Sequence, residues 1–303
     1  MFPVLFSIGK ISISSFGVFL AAGFLLGLFL IWRLSRAWDL DEEKILDLAI
    51  LTLLGALAGA RIIFCIEHWQ FFLSNPLYSL LFYRAPGFSF WGGFLVGSLT
   101  LYFFAKRKRV DFWMISDIAS IGLLGGLILA DLGCFFGGCA IGIQNNLFLS
   151  VNMVGAIGKR FPVQVLEAII LTIALSKLWG KSIHFHTRGK ILSLSLIYIG
   201  LIKLLLEPLK DLHSDLFLSA ILTILGINIF YRVTKRSLKA DLKSLALFLY
   251  KLLTSSLTRK TSMDRLKKYW YNQKTSVSWK WRNFRKTLRR LNVRFSYQNE
   301  RIH

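Results

Sequence analysis

Cysteine is scarce in this chain. Cys65, Cys134 and Cys139 are the only three in 303 residues, an odd set at or inside apolar stretches, which rules out a disulfide framework and lacks the paired spacing of a zinc site. They read as small packing residues. Acidic residues are also few, 16 against 38 Lys and Arg, giving a net charge of +22. Alternating apolar and polar runs are missing from the hydrophobic segments, which excludes a membrane β-barrel. The first apolar stretch is followed by arginines rather than by a small-residue cleavage site, and it is longer than a signal-peptide core, so it is read as a retained span. What the chain has in abundance is hydrophobic residues, 54% of the total with a mean hydropathy of +0.54, which argues against a soluble domain.

Seven apolar stretches carry that composition, at about residues 11–32, 45–66, 88–105, 112–136, 162–180, 191–208 and 214–231. Each approaches the ~20 residues that a helix needs to cross ~30 Å of hydrocarbon. Because lipid satisfies no backbone polar group, continuous apolar spans must be helical. The expected fold is therefore all-α, a polytopic membrane protein with seven transmembrane helices. Lys and Arg number three after the first span (Arg33, Arg36, Lys44), four after the third (Lys106 to Arg109) and four around the gap after the fifth (Lys177, Lys181, Arg188, Lys190). The other gaps are poorer, with Lys10, Arg84, Lys159 with Arg160, and Lys210. The positive-inside rule then puts the N-terminus outside and the C-terminus inside.

Two units are expected, a membrane domain over residues 1–231 and a basic cytoplasmic tail over 232–303 that carries +17 of the net charge. Leu238, Leu242, Leu245, Leu249 and Leu252 recur at helical spacing with Lys239, Lys243 and Lys251 elsewhere on the wheel. That pattern suits a basic amphipathic helix on an anionic membrane surface. Further on, Trp270, Trp279, Trp281 and Phe284 interleave with Lys280, Arg282, Arg285, Lys286, Arg289 and Arg290, a mixture that single-stranded nucleic acid also accepts. No nucleic-acid motif is present, and the membrane surface or simple solvation is favoured.

Charged groups at membrane depth are costly, and those tolerated usually line a cavity or pathway. Arg61 sits late in the second span behind Gly59 and Ala60, Asp117 and Asp131 in the fourth, Gln164 and Glu167 in the fifth, Lys203 and Glu207 in the sixth. Together they suffice for an internal polar cavity near the outer face. The plainer alternative is that Lys203 and Glu207 pair at i and i+4 while Arg61 snorkels to the interface. Glycines add a second signal: Gly92 and Gly93 open the third span, while Gly133, Gly137 and Gly138 close the fourth, ahead of Gly142. Such runs permit either a non-helical backbone beside a cavity or ordinary close packing of helices.

The chain shows Pro3 to Gly9 with Ile11-Ser12-Ile13, then Gly59-Ala60-Arg61, Asn75-Pro76-Leu77, Ser89-Phe90 before the paired glycines, and Ser116-Asp117. Gly133-Cys134-Phe135 follows, then Arg160, Pro162, Gln164 and Glu167 in the pattern Arg-x-Pro-x-Gln-x-x-Glu, and Gly200 to Glu207. In this order and spacing, residues from about Met1 to Tyr231 resemble the bacterial prolipoprotein diacylglyceryl transferases. The resemblance implies a seven-helix enzyme of the bacterial inner membrane, with the orientation derived above. Members usually carry His-Gly-Gly where this chain has Trp91-Gly92-Gly93, Gly-Arg where it has Ala130-Asp131, and Asn where it has Gly137. A family Tyr corresponds to Phe16, and family arginines correspond to Lys203 and Lys210.

The activity implied is transfer of a diacylglyceryl group from phosphatidylglycerol to the lipobox cysteine thiol of a prolipoprotein signal peptide, a step of lipoprotein biosynthesis. The thiol must lose its proton, and the leaving phosphate needs cations. By the resemblance, Arg61, Glu167, Lys203 and Glu207 are the expected catalytic residues, and Gly92, Gly93, Gly133, Arg160, Gln164 and Lys210 the expected substrate-binding ones. Neither cofactor nor metal is expected. All five histidines, His68, His184, His186, His213 and His303, fall in loops or the tail, and Glu167 and Glu207 remain as alternative bases. The rival readings are a catalytically silent relative that binds lipid or signal peptide, and an unrelated transporter or membrane scaffold; for a transporter the span pattern offers no inverted repeat.

Overall fold

The computed structural model describes residues 4–8, 11–74, 76–79, 87–145, 149–153, 155–184, 187–211 and 216–299. Pro3, Gly9, Lys10, Asn75, Arg84, His186, His213 and His303, all invoked above, lie outside them. The described residues are dominated by helices, in keeping with an all-α polytopic membrane protein: α1 (Ser15–Ala37), α2 (Glu42–Glu67), α3 (Trp69–Ser74), α4 (Phe90–Arg107), α5 (Phe112–Gly137), α6 (Val163–Ser182), α7 (Lys190–Leu206), α8 (Leu216–Thr234), α9 (Leu238–Thr254) and α10 (Ser256–Asn299). Six of them, α1, α2, α5, α6, α7 with its continuation to Leu209, and α8, are long and apolar enough to cross a membrane. The third expected span, α4, is not among the six. It has 18 residues, about 27 Å of helix, with three glycines inside and Lys106 and Arg107 at its end.

The first span begins later than expected. Residues 11–14 form a strand, β2 (Ile11–Ser14), paired antiparallel with β1 (Val4–Ile8). In β2 Ile and Ser alternate with a period of two, as strand side chains pointing to opposite faces do. Ser14 then ends the strand and caps α1, its Oγ accepting from Gly17 N at 3.2 Å. Asp41 and Asp111 cap α2 and α5 in the same way, through Lys44 N at 3.2 Å and Trp113 N at 2.9 Å.

Helix pairs are fastened by glycine. A Cβ placed on Gly23 or Gly27 of α1 would lie 2.9 or 3.0 Å from the carbonyl oxygens of Gly126 and Gly122 on α5, so only bare backbone allows this approach. Gly92 of α4 stands likewise against Gly59 of α2, its Cβ position 2.7 Å from the Gly59 oxygen. The α1–α5 and α2–α4 pairs are each closely packed but touch one another sparingly. Between the pairs runs an apolar cavity of about 430 Å³, lined by residues such as Phe16, Phe24, Ala60, Phe90 and Ala130. Against α5, the helices α6 and α7 complete the core around Ile118, Ile121, Leu124, Leu171, Leu178 and Ile199, and α8 packs on α7.

Asp117, assigned above to a polar cavity, is fully buried and instead caps α7 from α5. Its carboxylate accepts from Gly189 N at 2.7 Å and Leu192 N at 2.6 Å. The negative charge meets the free N–H groups and the positive dipole end of α7.

The chain divides into two compact units, Met1–Lys235 and Arg236–His303. The second comprises α9 and α10. In α9, Leu238 and Leu242 lie on one arc and the three lysines on the other, the strongest amphipathic pattern among the helices. The 44-residue α10 is continuous where only partial helix was anticipated.

Candidate functional site

At the end of the bundle where α5 and α7 finish and α6 begins, the backbone is knitted by three extended segments. Ile143 N donates to Leu209 O (3.0 Å), Asp211 N to Ile141 O (2.9 Å) and Phe161 N to Ile143 O (3.1 Å), and bridges join Gly142 to Lys210 and Gln144 to Arg160. Gly142 is required here because a Cβ would strike the Phe161 carbonyl oxygen. The short strands β3 (Val151–Asn152) and β4 (Lys159–Arg160) extend the same layer.

Beside this layer lies a set of charged and polar side chains, buried or half-buried except for Asp211. Lys203 of α7 donates to Glu167 Oε1 of α6 at 2.8 Å, with Glu167 only 3% exposed. Lys210 donates to Glu207 Oε2 at 2.9 Å, with Glu207 at 0%. Arg160 donates through Nη1 to Asp211 Oδ2 (3.0 Å) and Gly142 O (3.3 Å). Gln164, one turn before Glu167, donates through Nε2 to Ala140 O, while its Oε1 is buried without a partner. From α5, Asp131 feels the charges of Glu167, Lys203 and Lys210, and its Oδ2 too is buried without a partner.

Six expected site residues, Arg160, Gln164, Glu167, Lys203, Glu207 and Lys210, thus gather at one end of the bundle. In place of the i,i+4 pair alone, lysine charge is shared across elements: Lys203 reaches α6 and Glu207 holds Lys210.

Arg61 is buried on α2 at 6% exposure and is engaged differently. Its guanidinium donates to the backbone oxygens of Tyr78 (2.7 Å), Ser79 (2.9 Å) and Gly87 (3.0 Å). The Phe72 and Phe64 rings lie 5.4 and 5.6 Å from its carbon. It does not snorkel; it ties down the connection between α2 and α4. Arg61 lines a second cavity, of about 1030 Å³, with Cys65, Trp69, Phe72 and Phe88, and neither Glu167 nor Lys203 lines it. The two regions meet through Ser89 and Phe90. Ser89 N donates to Ala60 O at 3.0 Å, Ser89 Oγ to Glu67 Oε1 at 2.9 Å, and Lys203 Nζ stands 5.2 Å from the Phe90 ring centre. Phe90 also lines the 430 Å³ cavity, so the lysine end of the cluster borders an apolar space.

Gly92 and Gly133 are buried at helix contacts, Gly92 against Gly59 and Ile63, Gly133 against Phe19, which is the close-packing alternative for both. Gly93 packs on Ala60 and borders the apolar cavity. Trp91 packs beside the core, edge-on to Phe90 at 5.1 Å. Sequence reasoning missed Asp211, which follows Lys210 and pairs with Arg160; its only trace was a charge beside a charge.

A family model described as prolipoprotein diacylglyceryl transferase matches residues 3–236. Among curated relatives, the phosphatidylglycerol–prolipoprotein diacylglyceryl transferase of Synechococcus elongatus is 33% identical over 145 residues, 48% of this chain and 50% of that protein. Proteins of the same name from Clostridium tetani and Finegoldia magna are 26% and 25% identical over 246 and 248 residues. Those matches cover 76% and 79% of this chain and 97% and 99% of the relatives. The chain spans about half the length of the cyanobacterial relatives it matches.

Proposed function

We propose that this chain, which belongs to the prolipoprotein diacylglyceryl transferase family, transfers a diacylglyceryl group from phosphatidylglycerol to the lipobox cysteine of a prolipoprotein. The observation that carries the reading is the cluster of buried Glu167 and Glu207 with half-buried Lys203 and Lys210, bordering, through Phe90, an apolar cavity of about 430 Å³. A lipid donor needs both: apolar walls for its chains and cations where its phosphate leaves. In the reaction the thiol sulfur forms a bond to the glycerol carbon that bears the phosphate. The carbon–oxygen bond breaks, its electron pair leaving with glycerol 1-phosphate, and the thiol proton passes to a base. Lys203, Lys210 and Arg160 are the cations placed to balance the phosphate, while Gly93 borders the chain-binding space.

The test is incubation of the purified protein with phosphatidylglycerol and a lipobox peptide, followed by mass measurement of the peptide. A diacylglyceryl thioether supports the reading. Unmodified peptide under conditions where an established family member reacts overturns it. A silent, lipid-binding relative is the second reading, favoured by one observation: Arg61, Lys203 and Lys210 already hold protein oxygens. Bound phosphatidylglycerol without thioether would select it.

The proposed setting is the bacterial inner membrane, crossed seven times with α4 as the third span, N-terminus outside and residues 232–303 inside. The Lys and Arg alternation supports this orientation. Asp117, which puts the starts of α5 and α7 at one end of the bundle, fits α5 and α6 crossing in opposite directions between them. Periplasmic labelling of a single cysteine introduced near residue 280 would overturn the orientation. The tail is proposed to bind an anionic leaflet through the leucine arc and lysines of α9, each near-surface cation contributing about 1 kcal/mol.

A further inference from the structure

Apart from the exposed Asp211, which pairs with Arg160, the cluster contains three carboxylates, Asp131, Glu167 and Glu207, and two of them are occupied. Glu167 accepts from Lys203 at 2.8 Å and Glu207 from Lys210 at 2.9 Å, so each already has an oxygen engaged by an ammonium group in a charge-assisted hydrogen bond. Asp131 differs. Its Oδ2 is shielded from solvent and has no hydrogen-bond partner, and it is the only ionisable atom among the described residues in that condition. The charged groups facing it are Glu167 from α6, Lys203 from α7 and Lys210 from the turn beyond α7, while Cys134, one turn along α5, is the nearby thiol. With all ionised, the carboxylates outnumber the two ammonium groups, and the surplus charge is the one on Asp131.

We propose that Asp131 is the proton acceptor for the attacking thiol, a catalytic residue that rests on the transferase reading above. The S–H proton moves to Asp131 Oδ2 as sulfur bonds to the glycerol carbon and the phosphate departs with the carbon–oxygen electron pair. Uptake of that proton removes the surplus negative charge from the cluster at the moment the phosphate needs it removed. Lys203 and Lys210 then act on the leaving oxygen without a third carboxylate opposing them. One group therefore supplies both requirements, a base before the bond forms and a neutral neighbour afterwards. The described histidines do not compete on geometry: His68 is exposed, its Nδ1 held against Phe64 O at 3.1 Å, and His184 lies just past the far end of α6.

The experiment compares the full-length protein with Asp131→Asn, Asp131→Glu and His68→Asn in the peptide mass assay, across pH and phosphatidylglycerol concentration. Asp131→Asn is expected to lower kcat by about 100-fold or more, the usual range for a lost base, with KM within about threefold. The acid limb of the wild-type pH profile should vanish with it. Asp131→Glu should recover part of the rate, and His68→Asn should leave it unchanged. Asp131→Asn that binds phosphatidylglycerol and keeps wild-type kcat overturns the proposal while leaving the transferase reading intact, as does a loss confined to KM. A wild-type protein that makes no thioether overturns the transferase reading, and the base with it.

Discussion

Removing the Asp117 carboxylate is expected to unseat the start of α7. The side chain is fully buried and accepts two backbone N–H groups, from Gly189 at 2.7 Å and Leu192 at 2.6 Å. Gly189 sits at φ 84°, and α7 has no side-chain cap of its own, so nothing local replaces the lost acceptor. Hydrogen bonds to a charged group contribute about 1.5–3 kcal/mol each, and the two share one carboxylate. Asp117→Ala should therefore cost about 3 kcal/mol, which for a unit of this size corresponds to a fall in Tm of roughly 6–12 °C. Asp117→Asn keeps one acceptor and should lose about half as much. Ser116→Ala is the control: the neighbouring hydroxyl is buried without a partner, so its removal should be neutral or mildly stabilising. The assay is thermal unfolding in detergent followed by tryptophan fluorescence, with hydrogen exchange read at residues 189 and 192. Asp117→Ala melting within about 1 °C of Ser116→Ala would refute the capping argument.

Gly92→Ala should destabilise by about 1–3 kcal/mol, because the new Cβ lies 2.7 Å from the Gly59 oxygen, whereas Gly180→Ala, with open space around it, should be neutral or stabilising; paired melting curves decide. Burial alone would raise the Asp111 carboxyl, but hydrogen bonds from Arg188 and the Met114 and Trp113 amides outweigh it and hold the group below the usual aspartate value. Its stabilisation is thus present above the unfolded value of about 3.9 and is lost as pH falls through the lower folded value. The stability difference between wild type and Asp111→Asn, less than about 1 kcal/mol for so exposed a pair, should vanish in acid denaturant titrations. Deleting residues 236–303 should leave the first unit folded, since the chain divides there; a protein that elutes aggregated from gel filtration in detergent would contradict it.

Most of the bundle was legible because lipid permits so little else: a run of apolar residues near ~20 long has to be helical. What escaped is local. Ile11 and Ile13 were counted into the first span because an alternating strand followed directly by an apolar helix looks continuous to a hydropathy window, and only the Ser14 cap marks the join. Asp117 was misplaced for a related reason. A carboxylate inside a span carries no label separating a cavity wall from a cap on a helix some 70 residues further on, and Gly189, which needs the cap, gives no charge signal at all.

The site was legible as membership and not as pairing. Intramembrane charge marked Arg61, Glu167 and Glu207, which are buried, and Lys203, which is half-buried. Which group neutralises which depends on how α6, α7 and the loop after α7 converge, and that convergence is set by backbone contacts at Gly142, Ile143 and Leu209 that sequence spacing does not encode. Arg61 illustrates the consequence. Its three backbone acceptors commit it to holding the connection before α4, so a substitution there acts first on the position of Ser89 and Phe90. Phe90 in turn sets the floor under Lys203. Arg61→Lys, which keeps the charge but cannot serve three divergent carbonyls, is therefore expected to depress both stability and transfer, whereas Lys203→Arg, preserving charge beside Glu167, should retain transfer. Equal tolerance of the two exchanges in the peptide mass assay would show that charge alone, and not the backbone Arg61 holds, matters at this end of the bundle.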